Sequence, residues 1–184
     1  MGGDPKKAEV QNIVASTRLA DKLDLDAVVP ILEGAQYDTE RFPGLVYRMK
    51  KPKTALLLFR TGKVVCTGGK SLDDVRESVE IVAGKLHEAG MPVERHPEIT
   101  VQNIVAVCDL GSDLNLNNIA ISLDLNMEYE PEQFPGLVLR LDDPKIVCLL
   151  FGSGKMVLTG AKNTEDLHRA TESVREILSR SGLL

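Results

Sequence analysis

Aromatic side chains are scarce in this chain of 184 residues, which has no tryptophan, three tyrosines and four phenylalanines. Cysteine is scarcer still. Cys66, Cys108 and Cys148 are odd in number, scattered and free of C-x-x-C spacing, which argues against a disulfide framework and against a cysteine zinc site. Reduced, buried thiols are the expectation. No apolar run approaches the roughly 20 residues that cross a bilayer. The start, Met1-Gly2-Gly3-Asp4-Pro5-Lys6-Lys7, lacks the apolar segment of a secretory signal, so a chain that stays where it is made, away from membranes, is expected. His87, His96 and His168 show no metal-ligand spacing, and Gly152-Ser153-Gly154-Lys155 has the spacing of neither a phosphate loop nor a nucleophile elbow. With no nucleophile and base set in view, no enzyme activity, metal or cofactor is expected.

What is present is a duplication. Val10-Gln11-Asn12-Ile13-Val14-Ala15 returns unchanged as Val101-Gln102-Asn103-Ile104-Val105-Ala106, Phe42-Pro43-Gly44-Leu45-Val46 as Phe134-Pro135-Gly136-Leu137-Val138, and Thr67-Gly68 as Thr159-Gly160. The repeats run over residues 9–92 and 93–184, after an N-terminal tail of residues 1–8. All four phenylalanines, Phe42, Phe59, Phe134 and Phe151, occupy matching positions, two per repeat. A chain so poor in aromatics that places every Phe in symmetric pairs gives those pairs a task beyond filling a core.

Charge is distributed unevenly as well. The net charge is −5, which by itself speaks against a phosphate-rich partner. Yet Arg41 to Lys70 carries eight basic residues and no acidic one, and Phe134 to Lys162 carries four basic against two acidic. The rest of the chain therefore holds a net −15. A basic zone and an acidic remainder share one molecule.

Each repeat opens with a β-branched run, Glu9 to Ser16 or Ile99 to Cys108, that reads as a strand. A short helix follows, Leu23 to Leu32 with Asp21 as cap, or Leu114 to Ile121 with Ser112 or Asp113 as cap. Strand-like runs separated by turn residues come next. Each repeat closes with an amphipathic helix, Ser71 to Ala89 or Asn163 to Ser181, capped by Ser71 and Asn163 and stopped at Gly90 and Gly182. Ala55 to Phe59 and Ile146 to Phe151 are apolar at consecutive positions, so both faces of the sheet are apolar. One long helix per repeat covers only one of them.

Three occupants compete for the uncovered face: a second copy in a homodimer, a lipid or small molecule, or a flat and partly apolar partner. Strand alternation puts Asn12 in phase with Val14, Asn103 with Val105, Thr67 with Val65 and Thr159 with Val157. Two Asn and two Thr among Val and Leu, in twofold arrangement, match a DNA minor groove, which offers acceptors in a degenerate, nearly symmetric pattern. The paired Phe, flanked by Arg41, Arg60, Lys63 and Lys155, suit a wedge entering a base step while cations hold phosphates.

On these residues the chain resembles the TATA-box-binding protein family, over nearly its full length and in both repeats: Val10 to Val14, Phe42 to Arg48, Lys53 to Phe59, Gly62-Lys63, Val65, Thr67-Gly68 and their second copies. The resemblance implies an α+β fold, a two-repeat saddle of curved antiparallel sheet with helices on the convex face. It implies that Phe42 with Phe59, and Phe134 with Phe151, insert at the outer base steps. Asn12, Asn103, Thr67 and Thr159 would meet the central base edges, and Val14, Val65, Val105, Val157, Leu57, Leu149, Pro43 and Pro135 would press on bases and sugars. Arg48, Arg140, Lys63, Lys155, Thr61 and Ser153 map to phosphate-contacting positions. The implied function is that of a general transcription initiation factor on A/T-rich promoter DNA, which recruits transcription factor B and, indirectly, RNA polymerase. Phe-Pro-Gly in both repeats, the absence of a long low-complexity N-terminal region and the acidic composition resemble the archaeal members, which implies a cytoplasmic protein at the nucleoid; a eukaryotic member would be nuclear. The acidic Glu128, Glu130 and Glu132 before Phe134, against the more neutral Gln36 to Arg41, mark a surface for a basic partner such as transcription factor B.

Overall fold

The computed structural model describes residues 7–184, so most of the expected N-terminal tail lies outside the described residues. The chain divides into two compact units, one of Asn12–Gln102 and one of Asn103–Leu184 together with residues 7–11. Both are α+β, with antiparallel strands.

The Asn12–Gln102 unit contains β1 (Glu9–Arg18, from Asn12 onward), α1 (Leu25–Val28), β2 (Leu45–Lys50), β3 (Lys53–Leu58), β4 (Lys63–Gly69) and α2 (Leu72–Glu88), with strand order β2-β3-β4-β1. The other contains β5 (Thr100–Asp109, from Asn103 onward), α3 (Leu116–Ser122), β6 (Met127–Glu128), β7 (Leu137–Arg140), β8 (Val147–Leu150), β9 (Lys155–Ala161) and α4 (Thr164–Arg180), in the order β6-β7-β8-β9-β5.

The long helices start where short polar side chains satisfy the first free amides: Ser71 accepts from the Asp74 N–H and Asn163 from the Asp166 N–H. Acidic first turns, Asp73 with Asp74 and Glu165 with Asp166, suit the positive end of the helix dipole. α2 packs on β3 and β4 through Val75, Val79, Val82 and Leu86. α4 packs on β9 through Leu167, Ala170, Val174 and Leu178. Beneath them lie Leu56, Leu58, Val64 and Cys66, or Cys148, Leu150, Met156 and Leu158, each at most 1% exposed. Truncating one such Leu costs about 2–5 kcal/mol. Two buried hydroxyls of the first unit answer each other, Thr54 Oγ1 lying 2.8 Å from Ser78 Oγ.

The short helices differ from the sequence expectation. α1 is confined to Leu25–Val28 and is capped by Asp24 rather than Asp21, and α3 begins at Leu116 under Asn115 rather than Ser112 or Asp113. The reason is tertiary: the Leu23 N–H donates to the Arg60 carbonyl and the Leu114 N–H to the Gly152 carbonyl, both at 2.9 Å, so the chain is still committed to the neighbouring hairpin there. After α1, Pro30 supplies no N–H to continue the ladder, although Val29 keeps right-handed helical geometry and the Leu32 N–H still donates to the Val28 carbonyl at 3.1 Å.

Candidate nucleic-acid interface

In each unit the sheet face away from the long helix is apolar and half-exposed, and strand register arranges it in rows. In the first unit Val46 lies opposite Leu57, Leu57 opposite Val65, and Val65 opposite Ser16. In the second the row is Val138, Leu149, Val157, Val107. All eight side chains are half-buried, whereas their neighbours along each strand, such as Leu56, Val64, Leu150 and Met156, are buried. Val14 and Val105 share the half-exposed phase. Sequence alternation predicted Val14, Val65 and their copies, and the family resemblance implied Leu57 and Leu149; Ser16 and Val107 share the phase of Val14 and Val105 two residues earlier, and Val46 and Val138 join the rows through cross-strand pairing.

A second row runs Arg48, Ala55, Thr67 in one unit and Arg140, Val147, Thr159 in the other. Asn12 and Asn103 complete it. Asn12 Oδ1 accepts from the Gly68 N–H at 2.7 Å and from Thr67 Oγ1 at 3.4 Å. Asn103 Oδ1 accepts from the Gly160 N–H at 2.6 Å, and Asn103 Nδ2 donates to Thr159 Oγ1 at 3.1 Å. The structure thus brings each predicted Asn–Thr pair into direct contact on the open face.

The phenylalanines meet in edge-to-face pairs, Phe42 with Phe59 at 5.8 Å between centroids and Phe134 with Phe151 at 6.0 Å. Such geometry sets the positive edge of one ring on the negative face of the other. Phe134 remains 40% exposed. Two glycines that went unassigned in the sequence make room for these pairs: a Cβ on Gly44 would lie 2.8 Å from the Phe42 ring and 2.9 Å from Phe59, and one on Gly136 would lie 2.8 Å from Phe134 and 3.0 Å from Phe151. Their signal was the exact repetition of Phe-Pro-Gly. Pro43 and Pro135, the central residues of those tripeptides, are exposed.

Each wedge candidate shares a tight hairpin with a cation. The Phe59 N–H donates to the Lys63 carbonyl at 3.0 Å and the Gly62 N–H to the Phe59 carbonyl at 2.9 Å, and Phe151, Gly154 and Lys155 repeat both bonds. Lys63, Lys155, Thr61 and Ser153 are exposed on these turns. Arg18, which no motif marks in the sequence, donates from Nη1 to the Thr61 carbonyl at 2.6 Å and adds a cation to the first turn. Its counterpart by repeat offset is Asp109. A cleft lined by Val107, Phe151, Ser153, Lys155 and Val157 opens at the second turn.

The two arginines differ in their partners. Arg48 Nη1 donates to the neutral Gln36 Oε1 at 3.3 Å, while Arg140 Nη1 lies 3.6 Å from the Glu128 carboxylate. The partner of Arg48 is neutral, whereas the charge of Arg140 is partly offset by the carboxylate beside it. Glu128 is therefore already engaged, whereas Glu130 and Glu132 are exposed. Both Phe turns are built alike: the Phe134 N–H donates to the Glu130 carbonyl at 2.9 Å and the Phe42 N–H to the Asp38 carbonyl at 3.0 Å.

Among the described residues no cluster of His, Cys, Asp or Glu could hold a metal ion, and no helix is long and apolar enough to cross a membrane. The three cysteines are buried, and burial raises the thiols of Cys66 to about 11 and of Cys148 to about 12.

The model of the family described as transcription factor TFIID, or TATA-binding protein, matches residues 7–89 and again residues 98–181. TATA-box-binding protein 1 of Haloferax volcanii is 60% identical over 183 residues, 98% of this chain and 97% of that protein. TATA-box-binding protein of Picrophilus torridus is 55% identical over 180 residues, 97% of this chain and 98% of its own length. Among solved structures, Methanococcus jannaschii TBP superposes with a TM-score of 0.90 at 48% identity, covering 95% of this chain and 99% of that one. These relatives are archaeal, and the fold is theirs, as the sequence led one to expect. Twice matched by the family model and alike in fold along almost its whole length, the chain belongs to the TATA-binding protein family.

Proposed function

We propose that this chain is a general transcription initiation factor that binds A/T-rich, TATA-type promoter DNA through the minor groove. The carrying observation is the duplicated open face, on which half-exposed Val and Leu rows, an Asn–Thr pair and a Phe pair recur in each unit. The apolar rows press on sugars and base edges. Asn12, Asn103, Thr67 and Thr159 meet the acceptors of the central base pairs. Phe42 with Phe59, and Phe134 with Phe151, enter the outer base steps and kink them; apolar wedging of this kind is a general mode for which this family is itself a standard example. Flexible TA steps and the absence of the guanine amino group favour A/T-rich sequence.

Arg48, Arg140, Lys63 and Lys155, helped by Thr61 and Ser153, hold phosphates. With about 0.9 counterions released per neutralised phosphate, four cations give a slope of log affinity on log salt of about −4, and the pairing of Arg140 with Glu128 brings it nearer −3. The exposed acidic turn at Glu130 and Glu132, with Glu128 behind it, receives a basic partner, transcription factor B, through which RNA polymerase is recruited.

A gel shift comparing a TATA-like duplex with a G/C-rich duplex of equal length, over a salt series, tests this reading. Retention of the TATA-like duplex alone, with the shallow slope above, is expected. Equal retention of both duplexes, or none of either, would remove it.

A further inference from the structure

A single backbone irregularity stands beside each reading-face asparagine. In the first unit Ile13 pairs with Gly69 but Ala15 pairs with Cys66, so the two residues Thr67 and Gly68 lie opposite the one residue Val14. In the second unit Ile104 pairs with Ala161 and Ala106 with Leu158, so Thr159 and Gly160 lie opposite Val105. These are β-bulges, which commonly re-aim a group at a functional site. Gly68 has φ +92° and Gly160 φ +105°, a region that L side chains avoid. A Cβ at Gly68 or Gly160 would come no nearer than 3.5 Å to any atom, so the requirement for glycine is conformational rather than spatial.

The freed amide of each bulge finds a side chain. Gly68 N–H donates to Asn12 Oδ1 at 2.7 Å, and Gly160 N–H to Asn103 Oδ1 at 2.6 Å. With the carboxamide turned over, two N–H groups would face each other at that distance. The backbone donor therefore fixes which end of the carboxamide faces it.

We propose that Gly68 and Gly160 are specificity-determining positioning residues, whose bulge N–H groups hold the Asn12 and Asn103 carboxamides oxygen-inward so that these side chains offer the groove a donor and not an acceptor. The inference rests on the DNA reading above. An unrestrained carboxamide turns over to suit either partner: its nitrogen serves the acceptors of an A·T pair and its oxygen serves the guanine amino group. The restrained one turns its oxygen toward guanine only by giving up the bulge hydrogen bond and leaving that N–H unpaired. Discrimination against guanine then comes from the fold behind the asparagine as well as from the asparagine itself.

The test removes the N–H alone. The full chain is made by semisynthesis with glycolic acid in place of Gly160, which exchanges the amide for an ester and adds no side chain. Affinity is measured for duplexes whose central pairs are, one position at a time, adenine·thymine, inosine·cytosine or diaminopurine·thymine. Inosine keeps the acceptor-only groove edge, and diaminopurine adds the amino group. At the sensitive pair the penalty for diaminopurine over adenine should fall about fivefold in the ester protein, the size of one neutral hydrogen bond, while inosine stays close to adenine. A merely structural bulge would weaken all three duplexes by the same factor and leave the ratio in place, and that result overturns the proposal. Should the ester protein fail to fold, the unaltered protein decides by NMR: a through-hydrogen-bond coupling between Gly160 N and Asn103 Cγ is expected in the DNA complex, and its absence overturns the lock. An unaltered protein that retains none of the duplexes overturns the DNA reading and this inference together; one that binds with an unmoved ratio overturns the lock alone.

Discussion

Removing both rings of one wedge, Phe134→Ala with Phe151→Ala, separates the cost of folding from the cost of bending. A Phe side chain offers about 200 Å². With Phe134 40% exposed, about 80 Å² remains to be buried on insertion, worth about 2 kcal/mol at 25 cal/mol per Å². The half-buried Phe151 adds about 1 kcal/mol on the same basis. The pair then contributes about 3 kcal/mol to binding, or roughly a hundredfold in affinity. That is comparable with the few kcal/mol that unstacking one base step costs, a magnitude known for wedge-inserting proteins of this family and not worked from this chain. Folding loses less than the roughly 3–5 kcal/mol of a fully buried Phe, because the rings are only partly enclosed and their removal opens no deep cavity. Energy transfer between dyes on the two DNA ends reads the bend, titration reads affinity, and circular dichroism confirms the fold. One kink should vanish while the Phe42 and Phe59 kink persists, giving an intermediate transfer efficiency. A folded variant with affinity within threefold of the parent and an unchanged bend would refute the wedge.

Asn12→Asp with Asn103→Asp should abolish DNA binding in a gel shift yet leave the circular dichroism spectrum intact, because each carboxylate still accepts the bulge N–H but offers no donor to the groove. Glu130→Lys with Glu132→Lys should spare the binary DNA complex and weaken the ternary complex with transcription factor B, whereas the same reversal at Asp38 and Glu40 should do little; equal losses from both pairs would remove the assigned polarity. The cysteine thiols predict an alkaline limit: their folded pKa values, about 11 for Cys66 and about 12 for Cys148, lie above the ordinary 9.0, so the fold favours the protonated form. Stability should be intact below pH 9 and fall as pH rises from 9 toward 11 to 12, by about 2 kcal/mol per thiol at pH 10.5. Urea unfolding at pH 8 and 10.5 should show a smaller drop for Cys148→Ala than for the parent.

Much of the interface was legible in the sequence because duplication and strand alternation are both properties of a linear string. Asn12 falls in phase with Val14 and Thr67 with Val65 whatever the partner strand, and four Phe at matching positions need no coordinates to be counted. The same holds for Ser71 and Asn163, whose capping bonds reach only three residues ahead. The limits of the short helices were less legible, since Asp21 and Ser112 are good caps by type and fail only because Leu23 and Leu114 are still bonded to a hairpin 37 to 38 residues further on.

The sequence by itself determined that two like units exist, that each has an apolar face one helix cannot cover, and which polar side chains lie on it, because side-chain phase along a strand is set by local backbone geometry. Tertiary structure decided everything that depends on register between distant segments. Pairing placed Val46, Leu57, Val65 and Ser16 in one row, set Glu128 against Arg140 but Gln36 against Arg48, and brought Arg18 to the Thr61 turn. Register also produced the extra residue opposite Val14 and Val105 that turns the Gly68 and Gly160 amides toward Asn12 and Asn103. A hydrogen bond spanning 56 or 57 residues leaves no period in a sequence, since it exists only once the strands have aligned.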